Sequence, residues 1–272
     1  MKVKLWCMIA RHDISAYLLI VFGFGWLFYI VGALVISGHP EREPWLFLFQ
    51  TPGAAMALIG GLVVRHARGG KAEVNAGWKQ YLQWKQPWWL YVIAVALLPI
   101  LAFGAMLIKG DQGTVVAEMW QKTGWSTLLL LPVIFVAQLP SSPLLEEYGW
   151  RGFLQQRLQA KYTALVSALI VGTLWGIHHV PVVVVTNGSI LVTVMGGVIV
   201  SVLFAWLLNT SKGSMLLVVL FHASLNVAMM IAPKGYVFYI LVAVTGLFIS
   251  KYFGYKDLAK VQRVVLEGKS HD

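Results

Sequence analysis

Charged residues are scarce in this sequence: they make up 12% of its 272 residues, whereas hydrophobic residues make up 58%. This composition excludes a soluble globular domain, because apolar runs of about 20 residues, long enough to cross ~30 Å of hydrocarbon as helices, recur along its length. The single cysteine, Cys7, excludes an internal disulfide framework. No internal repeat or low-complexity linker is evident, so we interpret 1–272 as a single membrane domain.

Eight apolar runs are the candidate membrane spans of this domain. Lipid cannot satisfy backbone hydrogen-bonding groups, so such runs are expected to form helices, which satisfy those groups internally. We therefore predict an all-α fold, a polytopic membrane helix bundle of about eight transmembrane helices. The runs cover residues 14–36, 45–64, 88–108, 125–143, 165–187, 190–208, 214–231 and 235–253.

The net charge of +10 is distributed in a way that indicates membrane orientation rather than nucleic-acid binding. Basic residues concentrate in alternate connections, above all in 65–87, and weaker connections such as 37–44 lie between them. This positive-inside pattern predicts that both termini are cytoplasmic. The cytoplasmic parts then include an N-terminal segment, 1–13, and a tail, 254–272. The expected partner is the lipid bilayer, and no nucleic acid is expected.

Two adjacent glutamates, Glu146 and Glu147, lie next to membrane-spanning sequence. Ionisable residues at membrane depth are costly, and they usually mark a functional site or a tightly paired network. Glu147 has a structural explanation, an ion pair with Arg151 four residues later on the same helix face. Glu146 lies about 100° around the helix and cannot share that pair equally, so we assign it a functional role.

The polar segment after this pair predicts a helical hairpin, formed by 144–158 and 163–180 and joined by a basic turn. Residues equidistant from such a turn meet. At 1.5 Å per residue, both Glu146 and His179 lie ~25 Å from the tip. This distance does not separate neighbouring residues, so His178 remains an alternative to His179.

His222 and Asn226 are expected to join Glu146 from another span. His222 lies ten residues beyond Lys212, which is ~15 Å into the bilayer, and Asn226 follows on the same helix face. A lone buried histidine or asparagine is more often a satisfied core group. Carboxylate, imidazole and amide groups from three helices at one depth instead predict a polar site, within a motif-bearing core at 140–230.

At these residues the chain resembles the CPBP family, the CAAX proteases and bacteriocin-processing enzymes also called the Abi family. Three motifs of the family occur in order: EExxxR at 146–151, FxxxH-x-P at 175–181 and HxxxN at 222–226. The second motif departs from its usual form, because Trp175 occupies the aromatic position. The proline two residues after His179 selects that histidine as the motif residue.

The resemblance implies an intramembrane endopeptidase that is similar to CAAX prenyl proteases and carries a metalloprotease name. Its partner would be a peptide or protein substrate at the membrane, either lipidated or leader-bearing. We expect a multi-pass protein of the plasma membrane of a prokaryote, with its active site accessible from the cytoplasmic side. The oligomeric state and the natural substrate are left open.

Two mechanisms are compatible with these residues, with Glu147 and Arg151 in supporting roles. In the first, Glu146 and His179 activate a water as general base, while His222 and Asn226 stabilise the tetrahedral oxyanion. In the second, His179, His222 and Glu146 hold a metal ion, and an open position takes the attacking water. Zn²⁺ is the candidate cofactor, although the sequence lacks the HExxH helix that would identify a zinc protease directly.

Two other function classes are weighed against the peptidase. A non-catalytic protein on the same scaffold would bind a membrane partner, for instance in bacteriocin immunity, but a pure binder need not keep the base. A small transporter would use the polar cluster as a proton or ion site. That class predicts inverted repeats or paired broken helices, and we find neither in the sequence.

Overall fold

The computed structural model describes residues 2–37, 39, 45, 47–110, 114–233 and 235–267, and side chains from residue 4 onward. Every regular element in these ranges is helical, which confirms the all-α prediction. Most of the predicted 37–44 connection and the last five residues of the predicted tail, 268–272, lie outside the described residues.

The first group of helices extends to residue 123. It consists of α1 (Lys2–Arg11), α2 (Asp13–Leu18), the π-helix π1 (Leu19–Phe24), α3 (Gly25–Ile36), α4 (Phe47–Tyr81), α5 (Trp88–Lys109) and α6 (Val115–Thr123). The second group carries the three motifs. It consists of α7 (Ser126–Gln138), α8 (Ser142–Gly149), the π-helix π2 (Trp150–Gln155), α9 (Gln156–Gln159), α10 (Ala164–His178), α11 (Val180–Val185), α12 (Ile190–Thr210), α13 (Met215–Ile231) and α14 (Val237–Phe253).

One to three helical elements lie at each of the eight predicted apolar runs. Within the described ranges, four helical segments are long and apolar enough to cross a membrane: Asp13–Ile36, α4, α5 and α12. The bent pair Ser126–Gln138 and Ser142–Gln159 adds a fifth if it is one span, and α10, α13 and α14 are shorter apolar helices. The fold is therefore a polytopic helical bundle, while the count of eight spans and the cytoplasmic termini stay predictions.

Helix α4 is longer than the predicted span and continues through most of the polar 65–87 connection. Two of its basic residues are buried with partners: Arg65 donates to the carbonyl of Gly152, and Arg68 pairs with Asp13. These contacts hold the polar part of α4 against the bundle. The helical geometry of α4 is interrupted at Gly69 and Gly70, where Gly70 has φ +62°.

The predicted tail also returns to the bundle instead of extending from it. The backbone N–H of Leu266 donates to the Gln156 carbonyl at 3.0 Å, and that of Val264 donates to Asn209 Oδ1 at 3.1 Å. Leu258 is fully buried. Buried amides at the ends of α9 and α12 need hydrogen-bond partners, and residues 254–267 provide them.

The predicted hairpin is present, with the turn following α9 and leading into α10. Its first arm is not one regular helix, since π2 separates α8 from α9. Glycines set the close contacts of both arms. A Cβ atom at Gly149 in α8 would lie 2.2 Å from the Ala57 carbonyl oxygen of α4, and one at Gly172 in α10 would lie 2.6 Å from the Gly197 carbonyl oxygen of α12. Small residues let helix backbones approach this closely in membrane bundles.

Candidate active site

The two adjacent glutamates lie on α8, which starts at Ser142 with a proline in its first turn. Proline is favoured there because the first helical N–H groups have no intrahelical acceptor. Both side chains are buried: Glu146 is 2% exposed and Glu147 is fully buried. Neighbouring residues on a helix point about 100° apart, so the two carboxylates reach different partners.

Glu147 is the centre of a buried charged cluster. Its Oε1 accepts from a guanidinium nitrogen of Arg151 at 2.8 Å, so the predicted i,i+4 contact is present. The same oxygen lies 2.7 Å from His222 Nδ1. The sequence had grouped His222 with Glu146, whereas the structure joins it to Glu147. Since a carboxylate oxygen only accepts, His222 Nδ1 is the donor in this contact.

The Arg151 guanidinium is enclosed by aromatic rings. Its carbon lies 4.6 Å from the ring centre of Trp175 and 3.9 Å from that of Phe204. Arginine stacks on aromatic faces in this way, and the contact compensates for burial of the charge. Glu147 and Arg151 together therefore fix the orientation of His222.

Glu146 has a separate partner in α10. Its Oε2 accepts from the indole Nε1 of Trp175 at 2.6 Å, and the pair is buried. The same glutamate lines a cavity of about 380 Å³ together with His179 and Asn226. Three of the predicted site residues thus face one space: one on α8, one at the junction of α10 and α11, and one on α13. The rest of the wall is mixed: it combines apolar side chains with the polar residues Gln50, Thr51, Gln138, Ser141 and Ser142.

His179 and His178 have different environments. His179 Nδ1 lies 2.7 Å from the Trp175 carbonyl oxygen. A carbonyl only accepts, so Nδ1 carries the hydrogen, and Nε2 of the neutral ring is the nitrogen left to accept a proton. His178 is fully buried, with its ring 4.9 Å from that of Tyr29 and 5.7 Å from that of Trp150. Of the two histidines, it is His179 that lines the cavity.

A second cavity of about 240 Å³ adjoins the first. It is lined by His179, Asn226 and Ser142, which also line the first cavity, and by His222. Asn226 is held by its neighbour, because its Nδ2 donates to Gln138 Oε1 at 2.8 Å. The predicted residues therefore surround two neighbouring cavities, with Glu146 lining one and His222 lining the other.

The three residues considered as metal ligands do not form a metal site in this arrangement. Among the described side chains, no group of three or more His, Cys, Asp or Glu residues is placed to hold a metal ion. Glu146 accepts from an indole N–H and His222 contacts Glu147, so each has a protein partner. These residues do not fit the zinc ion named by the second mechanism, and we derive no step through a metal.

Sequence reasoning missed two features of this site. Gln138 is an amide within the apolar run 125–143, and the rule applied to Glu146, that polar groups at membrane depth need a reason, would have selected it. The Trp175 side chain was noted only as an aromatic motif position, and its N–H contact with Glu146 depends on how two helices pack.

Two comparisons with known proteins bear on this site. A family model described as type II CAAX prenyl endopeptidase Rce1-like matches residues 123–228. The curated protein "CAAX prenyl protease 2" of Methanococcus maripaludis is 23% identical over 149 residues, which cover 49% of this chain and 53% of that protein. The match thus spans about half the length of that relative. Both findings support the resemblance to the CPBP family that the three motifs indicate.

Proposed function

We propose that this chain, recognised through its motifs and both comparisons as CPBP-like, is an intramembrane endopeptidase of the CAAX protease type. The observation that carries the proposal is the convergence of Glu146, His179 and Asn226 on one cavity inside an apolar bundle. A carboxylate and an imidazole nitrogen can act as the base, and an amide can donate to the oxyanion, in general-base hydrolysis of a peptide bond. The name of the curated relative describes the same reaction class.

In the proposed mechanism, a water molecule in the cavity attacks the scissile carbonyl carbon. Glu146 and His179 act together as the base that takes the proton from this water as the new C–O bond forms. The carbonyl oxygen then carries negative charge in the tetrahedral intermediate. When the C–N bond breaks, the proton passes to the leaving amine, and the base is restored.

Asn226 and His222 are proposed to stabilise the oxyanion. One amide hydrogen of Asn226 is donated to Gln138, and the second has no acceptor among the described residues, so it can be donated to a ligand. His222 is held by Glu147 and lines the adjoining cavity. Donors held in place before the reaction stabilise developing charge most effectively, because little reorganisation is needed in the transition state.

The proposed substrate is a membrane-associated peptide, either lipidated or leader-bearing. An apolar groove of about 310 Å³ between α12 and α14 adjoins the second cavity, with which it shares Gly196 and Tyr239. A peptide whose apolar part lies in this groove would place its backbone beside His222. We propose access from the cytoplasmic side of a prokaryotic plasma membrane, on the basis of the positive-inside charge pattern.

In the test, the purified chain in proteoliposomes is incubated with a farnesylated peptide that ends in a CAAX sequence, and the products are measured by mass spectrometry. The unmodified peptide is run beside it. We expect a truncated product from the wild type and none from Glu146→Ala or His179→Ala, while Glu118→Ala on the exposed α6 position cleaves normally. Persistent cleavage by Glu146→Ala contradicts the mechanism, and absence of product from the wild type favours the partner-binding alternative.

A further inference from the structure

Trp175 contacts the proposed machinery through three separate parts of the residue. Its indole Nε1 donates to Glu146 Oε2 at 2.6 Å. Its backbone carbonyl accepts from His179 Nδ1 at 2.7 Å. Its ring lies against the Arg151 guanidinium at 4.6 Å, and its ring centre is 5.4 Å from that of His222. The side chain and backbone carbonyl of this one residue therefore lie against Glu146, His179, Arg151 and His222.

Only one of these contacts requires tryptophan. The aromatic position of the second motif is usually phenylalanine, which supplies a ring and a backbone carbonyl but no N–H donor. In this chain the indole adds a hydrogen bond to a buried carboxylate. Hydrogen bonds to ionised groups are stronger and more directional than neutral ones, so the contact restricts the rotation of the Glu146 carboxylate.

The contact also makes the two oxygens of Glu146 unequal. Oε2 is engaged by Trp175, whereas Oε1 has no hydrogen bond to any described residue. Oε1 is not fully enclosed by protein atoms, and the Glu146 side chain lines the first cavity. Oε1 is therefore the oxygen available to a molecule in the cavity.

We propose that Trp175 is a positioning residue: its indole N–H holds Glu146 Oε2 and presents Oε1 to the attacking water. This inference rests on the proposed function. In the proton transfer, the O–H bond of water breaks, an O–H bond forms at Glu146 Oε1, and the hydroxide forms the new bond to the carbonyl carbon. The indole keeps its hydrogen throughout.

The first experiment measures kcat and KM for Trp175→Phe, which keeps the ring and the carbonyl and removes the N–H. We expect kcat to fall about 10- to 100-fold, the range for loss of one hydrogen bond to a charged group, with KM nearly unchanged. Trp206→Phe is the matched control, since Trp206 is 4% exposed and its Nε1 has no partner among the described residues. Both variants are checked for wild-type elution in detergent. An unchanged kcat in Trp175→Phe overturns the inference.

The second experiment needs no activity. In protein labelled with ¹⁵N-tryptophan in detergent, the Trp175 indole resonance is the one that Trp175→Phe removes. We expect Glu146→Gln to move it to lower proton chemical shift, because an amide oxygen accepts more weakly than a carboxylate. Glu118→Gln is expected to leave it in place. A resonance that does not respond to Glu146→Gln overturns the hydrogen bond on which the inference depends.

The two experiments separate the failure of this inference from that of the proposed function. A wild-type protein that cleaves no peptide contradicts the proposed function, whatever the indole resonance does. A wild-type protein that cleaves, together with a Trp175→Phe variant of equal kcat, contradicts the positioning role alone. A lowered kcat at constant KM, with a responsive resonance, supports both.

Discussion

Two buried carboxylates of this protein, Asp13 and Glu146, have opposite kinds of environment. Asp13 is 4% exposed, and its Oδ2 pairs with Arg68 and, at 2.7 Å, with Arg157. Glu146 is equally buried but accepts from a neutral indole, and one of its oxygens faces a cavity. Burial of charge is therefore common to both. Glu146, the candidate catalytic group, has an oxygen available beside a cavity, whereas the structural carboxylate Asp13 is paired with two arginines.

The Asp13 network shows what a charged group does when it only holds helices together. It joins α2 to α4 through Arg68 and to α9 through Arg157. Arg68 also donates to the Glu267 carbonyl in the returning tail. Such a network stabilises a particular arrangement of helices, whereas the Glu146 environment leaves capacity for one more partner. Four predictions test this difference.

Glu146→Gln is expected to have the largest effect. It removes the proposed base while keeping side-chain size, so kcat should fall about 10²- to 10⁴-fold. The amide oxygen still accepts from Trp175, so thermal unfolding in detergent should change little. Cleavage of the farnesylated peptide and the unfolding midpoint are measured on the same sample. A variant with a lowered unfolding midpoint and a wild-type kcat would show that Glu146, like Asp13, is a structural carboxylate.

The matched pair His179→Leu and His178→Leu separates the two adjacent histidines. His179→Leu should reduce kcat at least about 100-fold, because it removes the nitrogen that faces the cavity. His178→Leu should leave kcat unchanged, since its ring is packed among aromatic side chains and does not line that cavity. The same cleavage assay measures both. The reverse result would assign the catalytic role to His178.

Asp13→Asn is expected to affect stability and not catalysis. It leaves two arginines without their carboxylate, which should lower the free energy of unfolding by about 3 kcal/mol. Denaturant unfolding in mixed micelles measures the loss, with kcat determined on the folded protein. The control is Asp257→Asn, whose partner Arg263 lies 3.0 Å away in a partly exposed pair, where loss should cost less than about 1 kcal/mol. A selective fall in kcat for Asp13→Asn would contradict the distinction.

Gln138→Leu should have the smallest effect of the four. It removes the oxygen that accepts from Asn226, so the amide is less well oriented and kcat should fall about 3- to 10-fold. Gln121→Leu, at an exposed position of α6, is the control for the same change of side chain. Cleavage rates at saturating peptide measure the difference. Equal rates in both variants would show that Gln138 does not position Asn226.

Much of the candidate site could be predicted because it depends on local helix geometry. Glu146 and the 178–179 pair are predicted to lie at the same distance from the hairpin tip, because the rise per residue is equal in the two arms. The Glu147–Arg151 contact follows from i,i+4 spacing, and it is present. The predicted end of the span 45–64 was wrong, because the polar character of 65–87 suggested a loop. In the structure α4 continues past this point, and Arg65 and Arg68 have buried partners.

The sequence by itself determined the all-α membrane class, the three motifs and the shared level of Glu146 and the 178–179 pair in the hairpin, which agrees with Glu146 and His179 lining one cavity. Tertiary structure decided which groups meet: His222 with Glu147, Trp175 with Glu146, and Asp13 with arginines 55 and 144 residues away. Periodicity sets the rise along each helix, but the rotation and closeness of neighbouring helices come from packing, here at glycines such as Gly149 and Gly172. The rotation of each helix about its axis therefore selects the partner of each buried polar atom.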